Sequence, residues 1–200
     1  MSPGKQRKSG GHRIPSPVTR SGRTRKQPAA GTKPSIEWAE FLARAWALEV
    51  EAAERYAMFA DAMGEHNNRE VAELFRKLAR IEQMHADQLL EENLSRRPPA
   101  TPAGGFRWDD GEGPETAGFD ALHYRMQPYH ALQIALACEK RANLFFAGFA
   151  ASGDARVRKA AGQMAEEEAE HVRLIEDWLT RTPPPDGDWE RDPDPPVVSD

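Results

Sequence analysis

The chain is predicted to be all-α: a four-helix bundle made of two duplicated helical hairpins joined by a long central crossover. Three observations predict it. Residues 35–94 and 120–180 form two blocks rich in Ala, Leu, Glu, Arg and Met, with few β-branched residues and no strand-like alternation. Each block breaks once near its middle, at residues 64–68 and 152–154. The halves also resemble each other. Ala57, Phe59 and Ala60 match Ala147, Phe149 and Ala150, and Val71, Leu78, His85 and Leu89 fall opposite Val157, Met164, His171 and Ile175. Two copies make a duplicated hairpin rather than a solenoid.

The first helix is expected over 35–63, with Ser35 after Pro34 as its N-cap, and the second over 68–93, capped by Asn68. Pro128 suits the first turn of a third helix over 128–151, and Asp154 caps a fourth over 154–180. The bundle domain therefore spans 35–180, with a linker at 95–127. Residues 95–118 contain RRPPATPAGG and DDGEGPETAG, a composition expected to be disordered. The same is expected of residues 1–34, a basic tail, and of 181–200, an acidic tail with six prolines and six acids. Residues 1–35 hold nine Lys and Arg and no acid, so with a net charge of −5 the rest of the chain carries −14.

Composition excludes several classes. No apolar run approaches the eighteen or more residues that a membrane span needs. The basic start lacks the apolar stretch of a secretory signal. One cysteine, Cys138, allows neither an intrachain disulfide nor a four-cysteine metal site. A cytoplasmic protein without membrane attachment is the expectation.

The bundle stripes carry the chemistry. At 3,4 spacing the four helices read Leu42, Ala45, Glu49, Ala52, Tyr56, Phe59, Met63; then Phe75, Leu78, Glu82, His85, Leu89; then Leu132, Ala135, Glu139, Ala142, Phe146, Phe149; then Ala161, Met164, Glu168, His171, Ile175, Trp178. Each is apolar except for a Glu near its centre, followed in the second and fourth helices by a His one turn later. A buried carboxylate costs several kcal/mol or takes up a proton, and four together repel one another. No Lys or Arg occupies these stripes. Four Glu⁻ and two divalent cations sum to zero, with two neutral imidazoles completing a set suited to a pair of iron or manganese ions. Ala45, Ala52, Ala135 and Ala142 leave room for the metals and a small oxidant. One Glu-x-x-His is weak evidence; two in register within a duplication, each preceded by a stripe Glu, are strong.

These residues resemble the ferritin-like superfamily, in particular its rubrerythrin-type diiron domain. The resemblance rests on Glu49-Val-Glu-Ala-Ala-Glu-Arg-Tyr56, Glu82-Gln-Met-His85, Glu139-Lys-Arg-Ala-Asn-Leu-Phe-Phe146 and Glu168-Ala-Glu-His171, and covers residues 36–180. It implies two Fe ions, with Mn as the alternative. Glu49 and Glu139 would be terminal ligands, Glu82 and Glu168 catalytic bridging carboxylates, and His85 and His171 each bind one metal. It also implies a central connection running the length of the bundle. Tyr56 has a hydroxyl that could bond a ligand or carry a radical. Two features depart from the family pattern: Cys138 alone cannot form a rubredoxin centre, and Ala142 stands where rubrerythrins place a further Glu.

The function expected is a non-haem diiron oxidoreductase reacting a di-Fe(II) site with hydrogen peroxide or dioxygen, for peroxide detoxification or ferroxidation. An external electron-donor protein and a homodimer accompany that expectation. The alternatives are an iron-storage or iron-delivery protein, and a metal-poor bundle that binds nucleic acid or another polyanion through residues 1–34. A substrate hydroxylase is weaker, since no organic-substrate pocket is legible.

Overall fold

The computed structural model describes residues 37–92, 98–108 and 111–194, so the basic segment 1–34 and Ser35 lie outside the described residues. Four helices form: α1 Trp38–Glu65, α2 Arg69–Glu92, α3 Pro128–Ser152 and α4 Ala155–Arg181. A single 3₁₀ turn at Phe119–Ala121 precedes α3, and among the described residues there is no strand. None of the described helices is long and apolar enough to cross a membrane.

Local chemistry explains the helix ends. The Asn68 Oδ1 accepts from the Val71 N–H, and the Asp154 Oδ1 accepts from the N–H groups of Arg156 and Val157 at 2.8 and 2.9 Å. Pro128 opens α3, where Gln127 and His130 form a reciprocal cap and the Gln127 N–H donates to His130 Nδ1. The expected Ser35 cap is corrected. The helix starts at Trp38, its N-cap is Glu37, and Glu37 makes no side-chain cap bond. Gly64 does not end α1 either. A helix tolerates one glycine at a cost of about 1 kcal/mol, and the reversal falls to Asn67, which holds a left-handed φ of 56°.

Helices α1 and α2 pack along one another as one hairpin, and α3 and α4 as the other. The Asn68 Nδ2 donates to the carbonyls of Met126 and Tyr124 at 2.7 and 3.3 Å. The start of α2 therefore meets the start of α3, so the connection returns along the full bundle and the two helices run parallel. One end of the core holds Tyr56, Phe59, Phe75, Leu132 and Ile175, with Phe75 within 5.3 Å of Phe59 and 6.0 Å of Tyr56, ring centre to ring centre. The other end holds Phe41, Leu48, Phe146 and Met164. Between these apolar plugs lie the acids.

Described parts of two segments expected to be disordered by composition pack on the bundle instead. Gly113, Glu115 and Thr116 are buried within the connection. Past α4, the Trp189 ring lies 3.9 Å from the His130 ring and 5.1 Å from that of His123. In the connection, Arg55 and Arg141 hold the backbone carbonyls of Pro114, Thr116 and Ala117, and past α4 the Trp189 ring is the inward contact.

Candidate metal centre

All four stripe glutamates are buried at mid-height: Glu49 and Glu139 are 2% exposed, Glu82 1% and Glu168 3%. They are gathered as two triads, Glu49–Glu82–His85 from the first hairpin and Glu139–Glu168–His171 from the second. In the first, His85 Nδ1 lies 3.1 Å from Glu82 Oε2 and 3.6 Å from Glu49 Oε2. In the second, His171 Nδ1 lies 3.3 Å from both Glu139 Oε2 and Glu168 Oε2. The two imidazoles stack face to face, 4.7 Å apart and 6° from parallel. The duplication read in the sequence thus places one triad against the other.

Small residues make this possible. Ala45, Ala52, Ala135 and Ala142 are fully buried beside the acids, where larger side chains would occupy the space between helices. The histidine side is reached from outside through a cleft of about 490 Å³, lined by Glu49, His85, Glu168 and His171 together with Phe41 and Met164.

The electrostatics are those of a site short of positive charge. Burial pushes the Glu49 carboxyl up to about 8; its hydrogen bond from His85 opposes this, and Glu168 and Glu82 add to it. Burial likewise raises Glu168 to about 7, against the pull of His171. Burial alone would lower the imidazoles, but the carboxylates beside them win, raising His85 to about 10 and His171 to about 11. Without metal, the carboxylates of each triad therefore favour the charged imidazole. Among the described residues, the cations paired with these four acids are the two histidines; no Lys or Arg reaches them.

That donor set fits a pair of divalent metal ions. Glu82 Oε1 is buried with no hydrogen-bond partner, and Glu49 Oε2 and Glu139 Oε2 are buried with only the ring nitrogens of His85 and His171 beside them, at 3.6 and 3.3 Å, although buried carboxylates are ordinarily paired or metal-bound. Each triad offers two carboxylate oxygens and one imidazole nitrogen within 4.8 Å of one another, a mixed oxygen and nitrogen set suited to iron or manganese.

The sequence reading missed one acid. Glu115, in the connection, is 1% exposed, and neither of its oxygens has a hydrogen-bond partner. It forms a third group with Glu82 and Glu139. Burial, then the charges of Glu82, Glu49, Glu168 and Glu139, raise its carboxyl far above the usual range. The one signal available was Gly113-Pro114, which marks a turn but not the side to which the next residue points. Tyr56 is 1% exposed; burial raises its hydroxyl, followed by the charges of Cys138, Glu139, Glu82 and Glu115. It thus adjoins the acid cluster, and its oxygen has no oxygen or nitrogen partner. Cys138 is a buried thiol pushed up chiefly by burial.

Fold and site together define a ferritin-like bundle with a paired carboxylate–histidine centre. The family model for rubrerythrin matches residues 40–101, which contain the first triad. A solved structure of an uncharacterized conserved protein from Magnetospirillum magnetotacticum MS-1 is 39% identical, covering 75% of this chain and 98% of that one, with a TM-score of 0.56. No curated protein matches. The chain belongs to the rubrerythrin-type, ferritin-like diiron family.

Proposed function

We propose that this chain is a non-haem diiron oxidoreductase in which Glu49, Glu82 and His85 hold one iron and Glu139, Glu168 and His171 the other. The observation that carries the proposal is the pair of facing triads with stacked imidazoles. Glu82 and Glu168, each one turn from its histidine, would be the carboxylates shared between the two ions. When bound, an Fe(II) pair supplies two electrons for reduction of hydrogen peroxide or dioxygen.

The protein's own residues set the conditions. The four triad carboxylates offset the charge of two divalent ions, in a low-dielectric interior where unbalanced charge is costly. The apolar ends of the core, built on Phe59 and Phe75 at one side and Phe41 and Phe146 at the other, exclude water along the bundle axis. The cleft beside His85 and His171 admits a small oxidant from one side. Tyr56 lies beside the acids as a buried hydroxyl. Cys138 alone cannot form a four-cysteine relay, so the electrons are assigned to an external donor protein.

Anaerobic Fe(II) titration followed by peroxide addition tests the proposal. Two irons per chain, and peroxide consumption that falls at least about a hundredfold in Glu82→Ala or Glu168→Ala, are expected. Iron well below two per chain, or unchanged turnover in both variants, would contradict it. Continued ferroxidation with iron retained in a large assembly would favour storage over peroxide removal.

A further inference from the structure

We propose that Glu115, carried by the connection between α2 and α3, is a seventh ligand of the centre and joins the two metal positions from the side opposite the cleft. The proposal rests on the dinuclear reading above and adds to it a residue from outside the helices.

Three observations carry it. First, Glu115 is placed between the halves: it shares a group, all within 4.8 Å, with Glu82 of the first triad and Glu139 of the second. Second, both of its carboxyl oxygens are fully buried and have no hydrogen-bond partner. A carboxyl that only stabilised the fold would be paired by an N–H or a guanidinium. Third, the backbone around it is built to aim it inward. Gly113 to Thr116 form a turn closed by the Thr116 N–H donating to the Gly113 carbonyl at 3.0 Å, with Pro114 at the second position. The Thr116 hydroxyl donates to the same carbonyl at 2.9 Å. Arg141 of α3 straddles the turn, donating through Nε to the Pro114 carbonyl at 2.9 Å and through a terminal nitrogen to the Thr116 carbonyl at 2.6 Å. Arg55 of α1 donates to the Ala117 carbonyl at 2.9 Å. Two arginines thus hold the main chain on both sides of Glu115 while leaving its carboxyl unpaired.

Position fits the same role. The cleft is lined by Glu49, His85, Glu168 and His171, whereas Glu82, Glu139 and Glu115 do not line it. Metals bound by the triads would present one face to the cleft and the other to Glu115. A carboxylate with two free oxygens, next to one ligand of each metal, is suited to span a cation pair.

The test uses the full-length chain with Co(II) alone as probe, titrated by calorimetry and visible absorption, in wild type, Glu115→Gln and Glu115→Leu. Thermal melting with and without metal controls for folding. The expected result is two Co(II) per chain in wild type, with affinity at least about tenfold weaker and an altered absorption band in both variants. Glu115→Leu should match or exceed the wild-type melting temperature without metal, while losing much of the rise that Co(II) produces. Two metals per chain with unchanged affinity and spectrum in both variants would overturn the role of Glu115 and leave the dinuclear reading intact. Fewer than two metals in wild type would overturn both. A variant that melts lower without metal, yet binds Co(II) as wild type does, would show Glu115 to be structural and also overturn the role.

Discussion

At the scale of single residues, the centre is governed by the cost of burying charge. Glu49, Glu82, Glu139 and Glu168 occupy positions that Leu or Met would fill in an ordinary bundle. Replacing a buried, incompletely paired carboxyl by an apolar group of similar volume is commonly neutral or stabilising by about 1–4 kcal/mol. Glu49→Leu is therefore expected to raise the metal-free melting temperature while reducing bound metal to one or none per chain, read by calorimetry and metal analysis. The raised carboxyls make a second prediction. A group whose folded pKa lies above its unfolded value stabilises the fold fully below the unfolded value, and this is lost as pH rises through the folded one. Glu49 and Glu168, raised to about 8 and about 7, lose that contribution from about pH 4.5 upward. His85 and His171, raised to about 10 and about 11, lose theirs from about pH 6.5 upward. Metal-free protein is thus expected to be less stable at pH 9 than at pH 6 in urea unfolding. Metal binding runs the other way, because it displaces these protons and strengthens with pH. A metal-free stability flat across this range would contradict the assignment of protons to the triads.

At the scale of elements, the helices were legible because periodicity and caps agree. Asn68 and Asp154 both cap as expected, and the Glu-x-x-His spacing places each pair on one helical face. Asn68 does more than cap: its side chain also holds Met126 and Tyr124. Asn68→Ala should therefore cost more than the roughly 1 kcal/mol of a cap alone, and more than Asp154→Ala, measured by chemical unfolding. The connection was less legible. Its residues carry no helical or strand period, and Gly, Pro and acids in succession are the composition of a solvated loop. What orders Gly113–Ala117 is tertiary: guanidinium groups of Arg55 and Arg141, sixty and twenty-odd residues away in sequence, hold its carbonyls. No local pattern reports such a partner, so the inward turn of Glu115 was hidden. The packing of Trp189 on His130 was hidden for the same reason. The Ser35 cap failed differently, since a good capping residue stood near the start but the helix begins three residues later, after Glu37.

At the scale of the whole molecule, duplication is what turns a weak motif into a site. One hairpin supplies only a triad of two acids and one imidazole. Two hairpins, related by the return of the connection along the bundle, bring the triads face to face and stack His85 on His171. The apolar ends then frame the pair, and large-to-small changes there should cost fold stability. Phe75→Ala is expected to destabilise the fold by about 3–5 kcal/mol while leaving metal stoichiometry at two per chain in the folded fraction. The sequence alone showed the triads because each ligand sits in a helical stripe. It could not show Glu115, which a loop places beside Glu82 and Glu139.

Whether the facing triads hold two ions decides the chemistry of the centre. A crystal structure of the full-length chain grown with Mn(II), with anomalous data at the manganese edge, measures this directly. Two anomalous peaks are expected, one between Glu49, Glu82 and His85 and the other between Glu139, Glu168 and His171. A single peak, or none with the acids hydrogen-bonded to protonated histidines at saturating Mn(II), would contradict it.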